Sequence, residues 1–286
     1  MKNAWVSETL HSGIELKLRV EKSLYLSNSL SQKIEFVKTN RFGTALIMDG
    51  AIQTTTEDEF IYHEMMSHIP LFSHPKPEKV LIIGGGDGGI LREVLKHKAV
   101  KKITVVEIEK QVIEQTKKYL PQICKDAFRS KKLELIIADG AEFIKNKSKL
   151  YDVAIIDSPD PTGPAKVLFE NNFYRNISKI LKSSGIIVRQ SGSSFLQKKE
   201  LKDNYKKLSK IFKYTNVYIL AVPTYIGGFF NLIFASDKIN IESLSLATIK
   251  KRVQKNKIKT KYYNPEIHLA SFKLPNYIRE IIGDKK

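Results

Sequence analysis

Five carboxylates stand at or just after the ends of apolar runs that read as strands: Asp87, Glu107, Asp139, Asp157 and Asp160. In an open parallel sheet the C-terminal strand ends form the ligand crevice, so alternating strands and helices would gather all five at one mouth. The chain carries 48 Lys+Arg against 30 Asp+Glu, a net charge of +18, so an acidic mouth is no consequence of composition. Repulsion among neighbouring carboxylates is relieved when a cation enters. The chemistry this pattern predicts is the binding of an amine-rich ligand.

The first of these acids sits inside a glycine loop. An apolar run at residues 80–83 is followed by Gly84-Gly85-Gly86-Asp87-Gly88-Gly89 and then by a helical pattern. This fits G-x-G-x-x-G after the first strand of a doubly wound sheet, where glycines let the backbone approach a nucleotide and an acid at the end of the next strand, here Glu107, bonds the ribose hydroxyls. The motif alone is shared by NAD enzymes and methyltransferases, and a tight turn packing a helix on a sheet would produce it too. Asp87 narrows the choice. A carboxylate there repels a pyrophosphate and the carboxylate of intact S-adenosylmethionine, and favours an amine. Decarboxylated S-adenosylmethionine keeps the sulfonium and the amine but has no acid group, so charge selects it as co-substrate.

A sulfonium carbon is already electrophilic, so the chemistry needs neither metal nor covalent intermediate. The attacking amine must be neutral, whereas a free primary amine has a lysine-like pKa near ~10.4; holding the neutral form at pH 7 costs roughly 4 to 5 kcal/mol. A positioned base must therefore take the proton as the amine attacks. Asp157, at the end of the run 153–156, is the candidate base. Asp160 would bind and orient the amine, with Tyr62 and Tyr225 as neutral polar partners. The competing reading is a Pro-rich turn, Asp157-Ser158-Pro159-Asp160-Pro161, whose acids cap a helix.

Several elements must position these groups. Leu16, Leu18 and Val20 alternate with Lys17, Arg19 and Glu21, a half-buried strand pattern, and Ile34 and Phe36 repeat it. Turn signals at residues 40–43 and at Asp49-Gly50 complete a small antiparallel β domain of about six short strands, residues 1–55. From Thr56 the period changes: Thr56-Glu57-Asp58-Glu59 reads as a capping box, followed by Ile61, Met65 and Ile69 at helical spacing. Strand-like runs at 80–83, 103–106, 133–137, 153–156 and 186–188 then alternate with helical runs such as 91–97 and 111–119. Continuous apolar strands in such alternation predict a mainly parallel sheet covered on both faces. The runs 217–222 and 231–235, joined by a Gly-rich loop, predict an antiparallel hairpin at one sheet edge. The expected fold class is α/β, a Rossmann-like, class I methyltransferase-type domain over residues 56–286.

Composition excludes other classes. No run approaches the roughly 18 apolar residues of a membrane span, and MKNAWVSETLHSG has no apolar secretory core. A single cysteine, Cys124, excludes an internal disulfide and a cysteine cluster for metal, so the expectation is a reduced, cytoplasmic protein without metal. The basic balance raises a nucleic-acid-binding alternative, but the lysines are spread along the chain and fall on apparent outer helix faces. A cationic substrate also gives them no steering role.

Taken together these residues resemble the spermidine synthase family, the polyamine aminopropyltransferases. The stretches IMDGAIQTTTEDEFIYHEMMSHIPL, HPKPEKVLIIGGGDGGILREVLKH and VVEIEKQVIEQTKKYLP are similar to that family almost residue for residue, and IIDSPDPTGPAKVLFENNFY resembles its catalytic loop. AVPTYIGG and KYYNPEIHLASFKLPNYI resemble its C-terminal signatures, WVSETLHSG and SLSQKIEFV its N-terminal domain. The resemblance covers essentially the whole chain. It implies transfer of the aminopropyl group of decarboxylated S-adenosylmethionine to putrescine, giving spermidine and 5'-methylthioadenosine. It implies that Gln32, Glu107, Asp139, Gly140 and Pro164 hold the methylthioadenosine part and that Asp87 binds the aminopropyl amine. Tyr62, His63, Asp157, Asp160 and Tyr225 would surround the diamine, with Asp157 as base, and residues 158–165 would form a lid. A homodimer or homotetramer is implied as well.

His63 stands where animal members carry Gln, so the chain resembles the bacterial branch. Trp5 matches a family tryptophan that core packing would explain equally well. No role is carried onto residues 189–192. The glycine-rich segment 226–230 leaves the acceptor open among putrescine, cadaverine, agmatine and spermidine. The alternative within the same fold is a putrescine N-methyltransferase, which resembles this chain but has an apolar residue where Asp87 stands.

Overall fold

The computed structural model describes residues 4–9, 11–28, 32–159 and 163–284. Five antiparallel strands open the chain: β1 (Trp5–Glu8), β2 (Leu16–Asn28), β3 (Lys33–Thr39), β4 (Gly43–Met48) and β5 (Ala51–Thr55), in sheet order β1-β2-β3-β4-β5. The alternation at Leu16, Leu18 and Val20 belongs to β2, a single strand of 13 residues. Among the described residues the count is therefore five rather than six, because one long strand does the work of two short ones. Trp5 is 55% exposed, so core packing does not explain it.

The second sheet is Rossmann-like. Its strands are β6 (Lys79–Gly84), β7 (Lys102–Glu107), β8 (Leu133–Ile137), β9 (Tyr151–Asp157), β10 (Leu181–Ser193), β11 (Tyr214–Leu220) and β12 (Phe230–Ser236), in the order β11-β12-β10-β9-β6-β7-β8. The five from β10 to β8 run parallel. The hairpin expected near the C-terminus is present: β12 pairs antiparallel with both β11 and β10. The helices are α1 (Glu59–Ser73), α2 (Gly89–Leu95), α3 (Lys110–Tyr119), α4 (Pro121–Cys124), α5 (Gly140–Ile144), α6 (Asn171–Ile180), α7 (Lys198–Ser209), α8 (Leu246–Asn256), α9 (Pro265–Ala270) and α10 (Asn276–Ile282).

Apolar side chains alternate between the two faces of the central strands. Val80, Ile82, Val153 and Ile155 pack with Met65, Ile69 and Phe72 of α1. Leu81, Ile83, Ala154 and Ile156 pack with Phe173, Tyr174 and Ile177 of α6. This is why these strands read as unbroken apolar runs. The edge strand β8 departs from the expected coverage: Leu135 and Ile137 are 37% and 45% exposed. The N-terminal sheet docks through Ile34, Phe36 and Leu46, which pack on Val112 of α3, Ile123 of α4 and Leu120 between them.

The expected capping box at the start of α1 does not form. Asp58 occupies the N-cap position without a side-chain cap bond. Its carboxylate instead accepts from Thr55 Oγ1 at 2.6 Å and from the Thr224 amide and hydroxyl at 2.9 and 2.7 Å. Glu59 is drawn inward towards His63 and Arg92. Buried polar partners more distant in sequence outcompete the local cap.

Strand β6 is the first of its sheet. The chain builds β7 and β8 on one side of it, then returns to place β9 and β10 on the other. The gap between β6 and β9 is thus a topological switch point, where such sheets bind ligands.

Candidate active site

Gly84 ends β6 directly beside Asp157 at the end of β9. A Cβ on Gly84 would lie 1.8 Å from the Asp157 carbonyl oxygen, and its φ is +83°, so only glycine lets the two strand ends diverge so closely. A cavity of about 530 Å³ opens at this point. It is floored by the glycine loop and the ends of β7 and β9 and walled on one side by the N-terminal sheet.

Nine of the eleven residues expected from the sequence line this cavity: Gln32, Tyr62, His63, Asp87, Glu107, Asp139, Gly140, Asp157 and Tyr225. Pro164 falls in a short 3-10 turn, Gly163–Phe169. Asp160 lies outside the described residues.

Asp157 is held at the deep end. Tyr62 donates to its Oδ1 at 2.7 Å. Burial, reinforced by the negative charge of Asp87, pushes the Asp157 carboxyl up to about 6. It is ionised at neutral pH yet more basic than an exposed aspartate. Tyr225 faces Tyr62 edge-on at 5.8 Å between ring centroids and donates to the Gln53 carbonyl at 2.9 Å. That bond ties the loop before β12 to β5 of the N-terminal sheet across the cavity.

Asp87 is oriented by two donors. Its Oδ1 accepts from the Gly89 amide at 2.9 Å and its Oδ2 lies 3.0 Å from His63 Nε2. Despite burial, which opposes ionisation, the charged partner and the amide hold its carboxyl below the ordinary range. A Cβ at Gly89 would come within 2.2 Å of the His63 ring. The glycine at the head of α2 thus makes room for the imidazole.

The other end of the cavity brings two further acids beside an apolar wall. Glu107 closes β7 and accepts from the Glu109 amide at 2.9 Å; burial pushes it up to about 7. Its Oε2 would lie 2.9 Å from a Cβ at Gly86, so the loop passes over the carboxylate with no side chain between. Asp139 caps α5 through Oδ1, which accepts from the Ala141 and Glu142 amides at 2.7 and 3.2 Å. Gly140 follows it, and a Cβ there would strike Ile83 at 2.4 Å. Apolar Ile83, Val106, Ile108 and Val112 line the same end, an apolar wall beside two carboxylates. Gln32 Nε2 reaches Asp49 Oδ2 at 3.5 Å on the opposite wall.

Among the described residues, the cavity is lined by six carboxylates, Glu8, Asp49, Asp87, Glu107, Asp139 and Asp157, and by no lysine or arginine. In a chain of net charge +18 the cavity thus runs against the overall charge balance. No group of three or more His, Cys, Asp or Glu among the described residues is placed to hold a metal ion.

Sequence reasoning missed several residues. Glu8, which accepts from the Ile52 amide at 2.7 Å, and Gln53 come from the N-terminal sheet, whose docking no local pattern reveals. Gln190, left without a role, lines the cavity and donates to the Ser158 carbonyl at 2.8 Å, while its Oε1 accepts from the Gly192 amide at 2.9 Å. Its position at the C-terminal end of a strand was the available signal. Its neighbour Arg189 is fully buried, stacks over Phe169 at 3.9 Å and donates to the Leu168 carbonyl.

The chain is similar to known proteins along nearly its whole length. Residues 59–245 match a family model described as the spermine/spermidine synthase domain, and residues 4–56 one described as the spermidine synthase tetramerisation domain. The chain is 41% identical over 279 residues to a polyamine aminopropyltransferase of Caldicellulosiruptor bescii, covering 97% of this chain and 98% of the relative. It is 42% identical over 280 residues to that of Methanocaldococcus jannaschii, covering 97% and 94%. A crystal structure of a spermidine synthase in complex with the transition state analogue AdoDATO superposes with a TM-score of 0.94 at 38% identity, covering 99% of this chain and 96% of that one. The spermidine synthase of Thermotoga maritima gives a TM-score of 0.91 at 37% identity, covering 99% and 95%.

Proposed function

The chain belongs to the spermine/spermidine synthase family, and from that membership we propose that it transfers the aminopropyl group of decarboxylated S-adenosylmethionine to putrescine, giving spermidine and 5'-methylthioadenosine. The observation that carries this reading is the cavity lined by six carboxylates and by no lysine or arginine among the described residues. A doubly charged diamine and a sulfonium bearing a second amine suit such a wall, whereas a donor with its own carboxylate does not.

In this reading Glu107 and Asp139 bind the ribose and base of the donor, with Gln32, Gly140 and Pro164 completing the nucleoside site. The Asp87 carboxylate receives the aminopropyl amine. The diamine lies among Tyr62, His63, Asp157, Asp160 and Tyr225. As the amine nitrogen attacks the carbon next to sulfur, a carbon–nitrogen bond forms, the carbon–sulfur bond breaks and methylthioadenosine leaves with the electron pair. The attacking end of the dication gains its lone pair by giving a proton to the Asp157 carboxylate, whose raised basicity brings it closer to the amine it must serve, and the new secondary ammonium carries the positive charge that the sulfonium loses.

The test is incubation of the protein with putrescine and either donor. Spermidine and methylthioadenosine are expected from the decarboxylated donor, and little product from S-adenosylmethionine. Methylputrescine from S-adenosylmethionine, without spermidine from the other donor, would establish the methyltransferase reading instead.

The division into an N-terminal β domain, 1–55, and a catalytic domain, 56–286, belongs to the same proposal, as does a cytoplasmic location. The match of residues 4–56 to a tetramerisation domain supports assembly as a homo-oligomer, either dimer or tetramer. Light scattering on the purified protein distinguishes them.

A further inference from the structure

Behind Asp87 runs a buried row of alternating charge. His63 Nε2 lies 3.0 Å from Asp87 Oδ2 and His63 Nδ1 lies 2.5 Å from Glu59 Oε2. Glu59 in turn receives both arms of the Arg92 guanidinium, at 3.0 and 2.9 Å. Arg92 is anchored further by the Ile123 carbonyl at 2.7 Å and by Glu93 Oε1 at 2.7 Å. His63 is 2% exposed and Glu59 8%. Glu59 and Arg92 are absent from the cavity lining.

Each ring nitrogen of His63 faces a carboxylate, and a carboxylate only accepts. A neutral imidazole has one N–H and would leave its other lone pair against an anion. An imidazolium satisfies both. Resting on the function proposed above, we infer that Glu59 and Arg92 are positioning residues that hold His63 as an imidazolium, so that Asp87 stays ionised and aimed into the cavity before the donor amine arrives.

The electrostatics agree. Burial works against charge on His63, but Asp87 and Glu59 outweigh it and raise the imidazole to about 10. The groups facing the ring are Glu59 from α1, Asp87 and, farther off, Asp157 from the strand ends, with Arg92 from α2 beyond Glu59. Without the imidazolium, the Asp87 carboxyl would feel burial with less compensation and would take up a proton in the empty site. The bidentate Arg92 prevents the same fate at Glu59, since a buried carboxylate without a cation neutralises itself.

The experiment uses the whole protein with isotopically labelled histidine, the His63 signals being assigned by their loss in His63→Gln. Both ring nitrogens of His63 are expected to remain protonated from about pH 6 to about pH 9, well above the ordinary imidazole range. Glu59→Gln should lower the His63 midpoint by at least about one pH unit. In His63→Gln, KM for the decarboxylated donor should rise roughly tenfold near pH 6, the scale of one charge-assisted bond, and return towards wild type near pH 8.5. A neutral His63 in the wild-type protein at pH 7.5 overturns the inference without recourse to any variant. So does an unmoved midpoint in Glu59→Gln, or a donor KM raised equally at both pH values, which would mark a purely structural role. The resonance titration reads the inference even if no spermidine is made, so its failure is separate from failure of the proposed function.

Discussion

The Tyr62 hydroxyl donates a 2.7 Å hydrogen bond to Oδ1 of Asp157, joining α1 to the end of β9. This bond favours the carboxylate and pulls against the burial and the Asp87 charge that push the Asp157 carboxyl up to about 6. Its removal in Tyr62→Phe should therefore raise the Asp157 midpoint further. The acid limb of the kcat/KM profile for putrescine, expected near pH 6, should move to higher pH. At neutral pH the rate should fall roughly tenfold. An acid limb that stays in place in Tyr62→Phe would separate Asp157 from the base role.

Asp157→Asn should lose most turnover while leaving binding of the donor largely intact, measured by direct titration. The same change should not cost stability at pH 8. The folded-state midpoint of Asp157 is raised to about 6 from 3.8, so the folded protein holds that proton more tightly than the unfolded chain. The ionised carboxylate thus costs stability above about pH 6, and that cost vanishes as pH falls through the interval towards 4. Asparagine removes it, so the variant should match or exceed wild type in thermal unfolding at pH 8, by on the order of 1 to 3 kcal/mol. The two should converge at low pH. A variant that is less stable at pH 8 would contradict this account.

Asp87→Ile should weaken binding of decarboxylated S-adenosylmethionine more than that of S-adenosylmethionine, because it removes the anion that favours the first donor's amine and repels the second donor's carboxylate. Competition titrations with the two donors measure the ratio. Equal weakening of both would refute selection by charge.

Gly89→Ala places a methyl group 2.2 Å from the His63 Nδ1 position, and the ring is backed by Glu59 at 2.5 Å. The imidazole must move or the head of α2 must shift. Donor KM should rise by roughly tenfold or more, with circular dichroism close to wild type. A donor KM unchanged from wild type would mean that the ring has room that the structure denies.

Much of this protein was legible from its residues in order. The apolar runs ending in Glu107 and Asp157 announce buried parallel strands, since a strand covered on both faces has no polar side to alternate. The glycine loop carrying Asp87 marks the strand-to-helix turn where a nucleotide fits, because glycine alone permits the close approach seen between Gly84 and Asp157. What the order of residues left undecided was everything that depends on distant partners. Asp58 and Glu59 look like a local helix cap, yet the fold spends them on Thr224 and on His63 with Arg92. A buried charge is satisfied by whichever partner the packing brings, and that partner can lie far along the chain. Likewise, the wall formed by Glu8 and Gln53 arises from the docking of one sheet on another. The sequence alone determined which ends of which strands carry acid; only the tertiary structure decided which of those acids share a cavity and left lysine and arginine out of its described lining.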